Sequence, residues 1–147
     1  MIEEIRDYVG AVCALLSIDP PRIKEAEQLG TGTTLAETSA DGRTIRIKSG
    51  ALSMDLCFAL AHELRHVWQI RTDEAKWLDG YQPSSRLDLA AYNLQPAELD
   101  ANAFAAIIMI NSFHRRPIFR ALPEDVVKKI YARAEEIARE LNNSQED

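Results

Sequence analysis

The sequence predicts an α+β fold: a mainly helical single domain that carries a short antiparallel β-hairpin or sheet. Three observations support this class. The length of 147 residues fits one domain. Hydrophobic residues at 46% and charged residues at 27% are typical of a folded globular chain. Segments with helical periodicity surround one segment in which polar and apolar residues alternate. We therefore expect residues 1–147 to form one domain, in the order helix, hairpin, helix, loop, helix, helix.

A helix is predicted over residues 2–17, where apolar side chains recur at helical spacing until the Pro20-Pro21 pair stops the pattern. A hairpin should follow, because Asp41-Gly42 separates the alternating strings TTLAETS and RTIRIKS. In the second string, isoleucines alternate with Arg46 and Lys48. This pattern predicts a strand with one buried face, lying at an exposed edge of the sheet.

Ser53 can cap the next predicted helix, which runs from residue 54 to about residue 70. Residues 71–95 contain Gly, Pro and Ser among mixed polar residues, so we expect a loop with one short helical turn. A third helix is predicted from Pro96 to about residue 113 and a last one from Pro123 onward. The tail of residues 142–147 is expected to be disordered.

The charge balance and the cysteines limit which cellular location and which binding partners we expect. Asp and Glu total 23 against 17 Lys and Arg, a net charge of -6, which argues against direct binding to nucleic acid or to an anionic membrane. Cys13 and Cys57 form no CxxC pair, and the N-terminal segment has neither a basic start nor a long apolar run. We therefore expect no signal peptide, no membrane span and a reduced, cytoplasmic location.

Residues 62–66 read HELRH, an HExxH pattern inside the second predicted helix. Two histidines four residues apart lie one turn apart on the same face, which is a spacing at which proteins bind zinc. On a helical projection His62 and His66 share a face with Gln69, opposite the aliphatic stripe of the helix. The pattern therefore predicts a metal site rather than histidines packed in the core.

Zinc also requires a third protein ligand, and a catalytic site keeps one position open for water. The third predicted helix offers Glu98 and Asp100, which point to opposite faces because two residues turn about 200°. Only one of them can therefore face a metal. Asn102 shares the Glu98 face and could orient a metal-bound histidine by a hydrogen bond. The remaining histidine, His114, stands beside two arginines at a predicted helix end, where a solvated or helix-terminal role is expected.

Together, HELRH and the later string ELDANAFA resemble the gluzincin arrangement of zinc metallopeptidases. The second string is similar to the ExEA(N/D)xFA signature of the ImmA/IrrE-type proteins of phages and mobile elements, and the element order also resembles that of the minigluzincins. The likeness spans about residues 43–113. Two features depart from the pattern: Asp100 replaces a glutamate of the signature, and no helix-turn-helix DNA-binding region accompanies the peptidase-like segment.

The resemblance implies that His62, His66 and Glu98 bind Zn²⁺, that Glu63 is the general base and that Asn102 orients a ligand. It also implies an active-site HExxH helix packed on a glutamate-bearing helix in a zincin-like metallopeptidase domain. Zinc lowers the pKa of its bound water toward about 7, and a carboxylate beside the first histidine can accept the proton. We therefore expect hydrolysis of peptide bonds in a peptide or protein substrate.

Two further expectations concern the substrate. Tyr81, Tyr92 and Arg65 are candidate donors for the oxyanion of the transition state. The RTIRIKS strand could align an extended peptide by strand addition.

An alternative hypothesis is a catalytically quiet zinc-binding interaction module encoded on a phage or mobile element. Glu63 favours the enzyme, because a structural zinc site has no need of a base beside its first histidine.

Overall fold

The computed structural model describes residues 2–30 and 33–146, with side chains as far as residue 144. Helices and a small three-stranded sheet make up this part of the chain, which confirms the predicted α+β class. The chain divides into two compact units, Met1–Thr72 and Asp73–Asp147. That residues 1–147 form one zincin-like domain stays a prediction. The elements in chain order are α1 (Glu3–Leu16), β1 (Arg22–Ala26), β2 (Ala36–Thr38), β3 (Thr44–Lys48), α2 (Met54–Leu78), α3 (Leu89–Leu94), α4 (Pro96–Phe113) and α5 (Glu124–Glu146).

Helix α1 confirms the prediction for residues 2–17 to within one residue at each end. Its buried side chains recur at intervals of three and four residues, which gives one apolar face. They are Ile5, Val9, Val12, Cys13 and Leu16.

The sheet has the order β1-β3-β2, so β3 is its central strand. β1, which the sequence analysis did not predict, pairs with β3 in parallel, and β2 pairs with β3 antiparallel. The expectation that RTIRIKS forms an exposed edge strand is therefore wrong. Ile45 and Ile47 are fully buried, as the alternation predicted. The parallel pairing joins segments that are distant in sequence, and for this reason the alternation within RTIRIKS gave no sign of it.

The predicted hairpin is present, and its turn explains the Asp41-Gly42 dipeptide. Gly42 has φ +69° and its amide donates to the Ser39 carbonyl oxygen at 2.9 Å. A Cβ at residue 42 would lie 3.1 Å from the Ile70 side chain, so both the backbone and the packing favour glycine. A hydrogen bond from the Ser39 hydroxyl, and then one from the Arg43 amide, lower the pKa of the Asp41 carboxyl.

Helix α2 begins as predicted, with the amide of Leu56 donating to Oγ of Ser53 at 3.1 Å. It does not end near residue 70. Asp73 leaves the helical conformation, and its carboxylate accepts from the Lys76 amide at 3.2 Å, which caps a second helical segment that ends at Leu78. The expected loop over residues 71–95 was therefore wrong for its first part. An aspartate cap restarts the helix there, which composition alone did not reveal.

Within the second unit, α3 is the short helical turn expected in this region, capped by Asp88, whose carboxylate accepts from the Ala91 amide at 2.8 Å. Helix α4 has the predicted bounds, and its residues from Ala101 to Met109 are all buried. Helix α5 packs on α4 through an apolar stripe. It extends to Glu146, so the structure continues as helix through residues 142–146 of the tail that we expected to be disordered. Asp147 lies outside the described residues.

Among the described residues, none of the helices combines the length and the apolar character needed to cross a membrane.

Candidate metal centre

The HELRH segment lies in the first part of α2, where its two histidines are half-buried on one face. The opposite face supplies core side chains with little or no exposure, which the projection from the sequence predicted. These are Leu56, Cys57, Leu60, Ala61, Leu64 and Val67. Packing of this stripe fixes the rotation of the helix, and the histidines consequently face away from the core of their own unit.

The two histidine rings present the same ring nitrogen to each other. Nε2 of His62 and Nε2 of His66 are 3.1 Å apart. Two unprotonated imidazole nitrogens at this distance would repel each other through their lone pairs, so the pair is stable with a proton or a metal cation between them. Two nitrogens bound to one tetrahedral zinc ion are about 3.3 Å apart, so the observed separation suits either occupant.

The other nitrogen of the His66 ring contacts a buried side chain that the sequence analysis did not assign to the site. Nδ1 of His66 lies 2.9 Å from Oε1 of Gln69, which is fully buried. An amide oxygen can only accept, so Nδ1 carries the proton and Nε2 of the neutral ring carries the lone pair. The spacing of three residues on the histidine face was the available signal for this contact.

Glu63 is half-buried and its carboxylate is held by the sheet. The hydroxyl of Thr38, the last residue of β2, donates to Oε2 of Glu63 at 2.8 Å. A hydrogen bond of this kind limits the rotation of the carboxylate. Thr38 is 25 residues from Glu63 in sequence, and no sequence signal indicated the contact.

In the second unit, Glu98 is buried near the start of α4 and accepts from two tyrosines. The hydroxyls of Tyr81 and Tyr92 lie 2.7 and 2.9 Å from Oε1 of Glu98. Burial, and next the charge of Glu98, raise the pKa of Tyr81 well above its ordinary value, so its hydroxyl keeps its proton. Tyr81 and Tyr92, two of the three candidate oxyanion donors, thus have their hydroxyls at a carboxylate oxygen.

Asp100 points to the other side of α4, as the 200° turn predicted, and meets a base. Its Oδ1 accepts from Nε and Nη2 of Arg133 at 3.0 and 2.8 Å. The Asp100 side chain is 1% exposed, so this ion pair is buried on the acid side. Asp100 has a structural contact that explains its presence without a metal.

His114 caps the C-terminus of α4 in a left-handed conformation and is exposed, which confirms the helix-terminal role expected of it.

The remaining candidates have other contacts. The side-chain amide of Asn102 donates to Oδ1 of Asn93 at 2.8 Å, in a buried pair within the second unit. Its predicted role as the orienter of a metal-bound histidine stays a prediction. The guanidinium of Arg65, which is buried, stacks 3.7 Å from the centre of the Trp68 ring in a cation-π contact.

Ligand atoms of His62, His66 and Glu98 lie within 4.8 Å of one another. Asp100 and His114 do not belong to this group. Two imidazole nitrogens and one carboxylate oxygen are a donor set that suits zinc, and it resembles the three-ligand sets of catalytic zinc sites. The side chains present therefore fit the metal that the sequence pattern implies.

Comparison of the chain with protein-family models, with curated proteins and with solved structures finds no match.

Proposed function

We propose that this chain is a zinc-dependent metallopeptidase of the gluzincin type that hydrolyses peptide bonds. The observation that carries the proposal is the group of ligand atoms on His62, His66 and Glu98, with the carboxylate of Glu63 next to the first of them in sequence. Three protein ligands leave a fourth position for water, which distinguishes catalytic from structural zinc sites.

The roles of the side chains follow from their contacts. When bound, zinc supplies a Lewis acid that polarises the substrate carbonyl and lowers the pKa of a coordinated water. Glu63 accepts the proton of the attacking water at a carboxylate oxygen and delivers it to the leaving amine. Thr38 supports this role because its hydrogen bond to Oε2 keeps the carboxylate oriented. Gln69 holds the His66 ring in the tautomer whose Nε2 can ligate.

The substrate is a peptide or a protein segment in extended conformation. β2 lies at an edge of the sheet, and its last residue, Thr38, contacts Glu63. We propose that the substrate pairs with this strand rather than with β3, which already has a neighbour on each side.

We also propose a cytoplasmic location. Cys13 and Cys57 are buried free cysteines, which suits a reducing compartment. The net charge of -6 supports a role without direct binding to nucleic acid.

Elemental analysis of the purified chain, followed by a cleavage assay on an unstructured protein, tests this function. We expect about one zinc per chain, cleavage by the unaltered chain, and no cleavage by Glu63→Gln although it retains zinc. His66→Ala should lose zinc and cleavage together. Bound zinc without cleavage of any substrate in a broad peptide library would support the interaction module instead. A chain that takes up no zinc at neutral pH would refute both hypotheses.

A further inference from the structure

The hydroxyls of two tyrosines in the segment preceding its helix lie within hydrogen-bond distance of Oε1 of Glu98. We propose that Tyr81 and Tyr92 form a tyrosine clasp, which holds Oε1 of Glu98 and directs the carboxylate to bind the metal through its other oxygen. This inference rests on the proposed metal site, for which it names two positioning residues.

The proton count of the cluster limits how it can be bonded. Each tyrosine hydroxyl has one proton, and the two hydroxyl oxygens are 3.0 Å apart. Both protons can point to Oε1, or one hydroxyl can donate to the other while the second donates to Oε1. In both arrangements Oε1 of Glu98 has at least one phenolic donor within 2.9 Å.

The segment that carries the tyrosines is itself closed by hydrogen bonds. Oε1 of Gln95 accepts from the Gln82 amide at 2.7 Å, and Nε2 of Gln95 donates to the Gln82 carbonyl oxygen at 3.0 Å. This reciprocal pair ties the residue after Tyr81 to the residue before α4. Tyr92 lies in α3, three residues earlier than Gln95. The two hydroxyls therefore converge on Glu98 from a closed segment rather than from free loops.

The consequence for a metal ligand is a fixed orientation. A glutamate has three rotatable side-chain bonds, and ordering them when the metal arrives would weaken binding. The clasp orders the carboxylate in advance, and hydrogen bonds from outer groups of this kind typically change metal affinity about 10- to 100-fold. The phenolic donors also oppose binding of the metal through both carboxylate oxygens of Glu98. A lone pair of Oε1 that accepts a phenolic proton cannot bind a cation at the same time.

The test compares zinc affinity, by competition with a chelator, in Tyr81→Phe, Tyr92→Phe and the double variant. Tyr131→Phe is the matched control, because its hydroxyl donates to the Pro117 carbonyl oxygen at 2.7 Å in the same unit and does not contact Glu98. We expect the double variant to bind zinc about 10- to 100-fold more weakly. Each single variant should show a smaller loss, and the control should match the unaltered chain.

A second readout separates positioning from general support of the fold. With Co²⁺ in place of zinc, the double variant leaves Oε1 of Glu98 without its phenolic donors, so both carboxylate oxygens can bind the metal. The coordination number of cobalt should then rise, and the visible absorption per bound cobalt should fall. Thermal unfolding of the metal-free variants measures any structural loss independently. Should the double variant not fold, the single variants give the same comparison.

The outcomes distinguish the clasp from the proposed function. The clasp alone would be overturned if His66→Ala loses zinc binding while the two single tyrosine variants and the double variant fold and keep full zinc affinity. Absence of zinc binding by the unaltered chain would overturn the metal site and the clasp together. The clasp would also be overturned if Tyr131→Phe weakens zinc binding as much as the Tyr81 and Tyr92 variants do. The loss would then come from removal of any tyrosine hydroxyl in this unit and not from the contact with Glu98.

Discussion

Glu98 and Asp100 form a matched pair of substitutions that separates a metal ligand from a structural charge. Both are buried, with 2% and 1% exposure, and they lie two residues apart on α4. The changes Glu98→Gln and Asp100→Asn each remove one negative charge and keep nearly the same shape. We expect opposite results, since Glu98 belongs to the ligand group and Asp100 pairs with Arg133.

The stability cost of Asp100→Asn follows from its two hydrogen bonds. Arg133 donates twice to Oδ1, and an asparagine oxygen can still accept. A hydrogen bond to a charged group contributes about 1 kcal/mol more than a neutral one, so two of them amount to about 2 kcal/mol. For a chain of this length that lowers the melting temperature by about 4 to 8 °C. Zinc affinity should not change.

The cost of Glu98→Gln lies in metal affinity. Structural zinc sites with four ligands bind with about 10 to 16 kcal/mol, or roughly 2.5 to 4 kcal/mol for each ligand. Loss of the anionic ligand should therefore weaken zinc binding by a factor on the order of 10² to 10³. Glutamine retains an oxygen that can accept from Tyr81 and Tyr92, so the metal-free fold should persist.

The assay combines chelator competition for zinc with thermal unfolding of the metal-free chain. Glu124→Gln is the control, since this glutamate makes an exposed ion pair with Lys128 at 3.7 Å and its loss should cost less than about 0.5 kcal/mol. Equal loss of zinc affinity in Asp100→Asn and Glu98→Gln would refute the assignment of Glu98 as the ligand. An unchanged zinc affinity in Glu98→Gln would also refute it, and Asp100 must then be reconsidered as the ligand.

Three further outcomes follow from single contacts. Thr38→Val removes the hydroxyl that donates to Glu63. Peptide hydrolysis should slow about tenfold, because the activation barrier rises by about 1.5 kcal/mol, and the zinc content should not change. Equal rates of hydrolysis would refute the positioning of Glu63 by the sheet. Gln69→Leu removes the partner of His66 Nδ1 and should weaken zinc binding about tenfold, measured by chelator competition. Burial raises the pKa of the Cys13 thiol to about 11, so at pH 8 about one thiol in a thousand is ionised and alkylation should be slow. The alkylation rate should then increase about tenfold per pH unit up to about pH 11, whereas a rate that levels off near pH 9 would contradict the raised pKa.

Local sequence patterns determined the elements whose signals lie within one turn or one hairpin. Helix α4 has the bounds that Pro96 and the apolar run predicted, and the hairpin turn falls on Asp41-Gly42. The orientation of His62 and His66 away from the aliphatic stripe was also predicted from α2 alone. These features depend on backbone geometry and periodicity, which act between residues close in sequence.

Tertiary structure decided what depends on partners distant in sequence. The parallel pairing with β1 makes β3 central, although its alternation suggested an edge strand. The helical turn showed that Glu98 and Asp100 point apart, but the position of Arg133 on α5 decided which of them has an ion-pair partner. Likewise, only the folded segment brings the hydroxyls of Tyr81 and Tyr92 to Oε1 of Glu98, an acceptor that no sequence pattern indicated. A helix determines which of its residues share a face, whereas the other elements determine what each face meets.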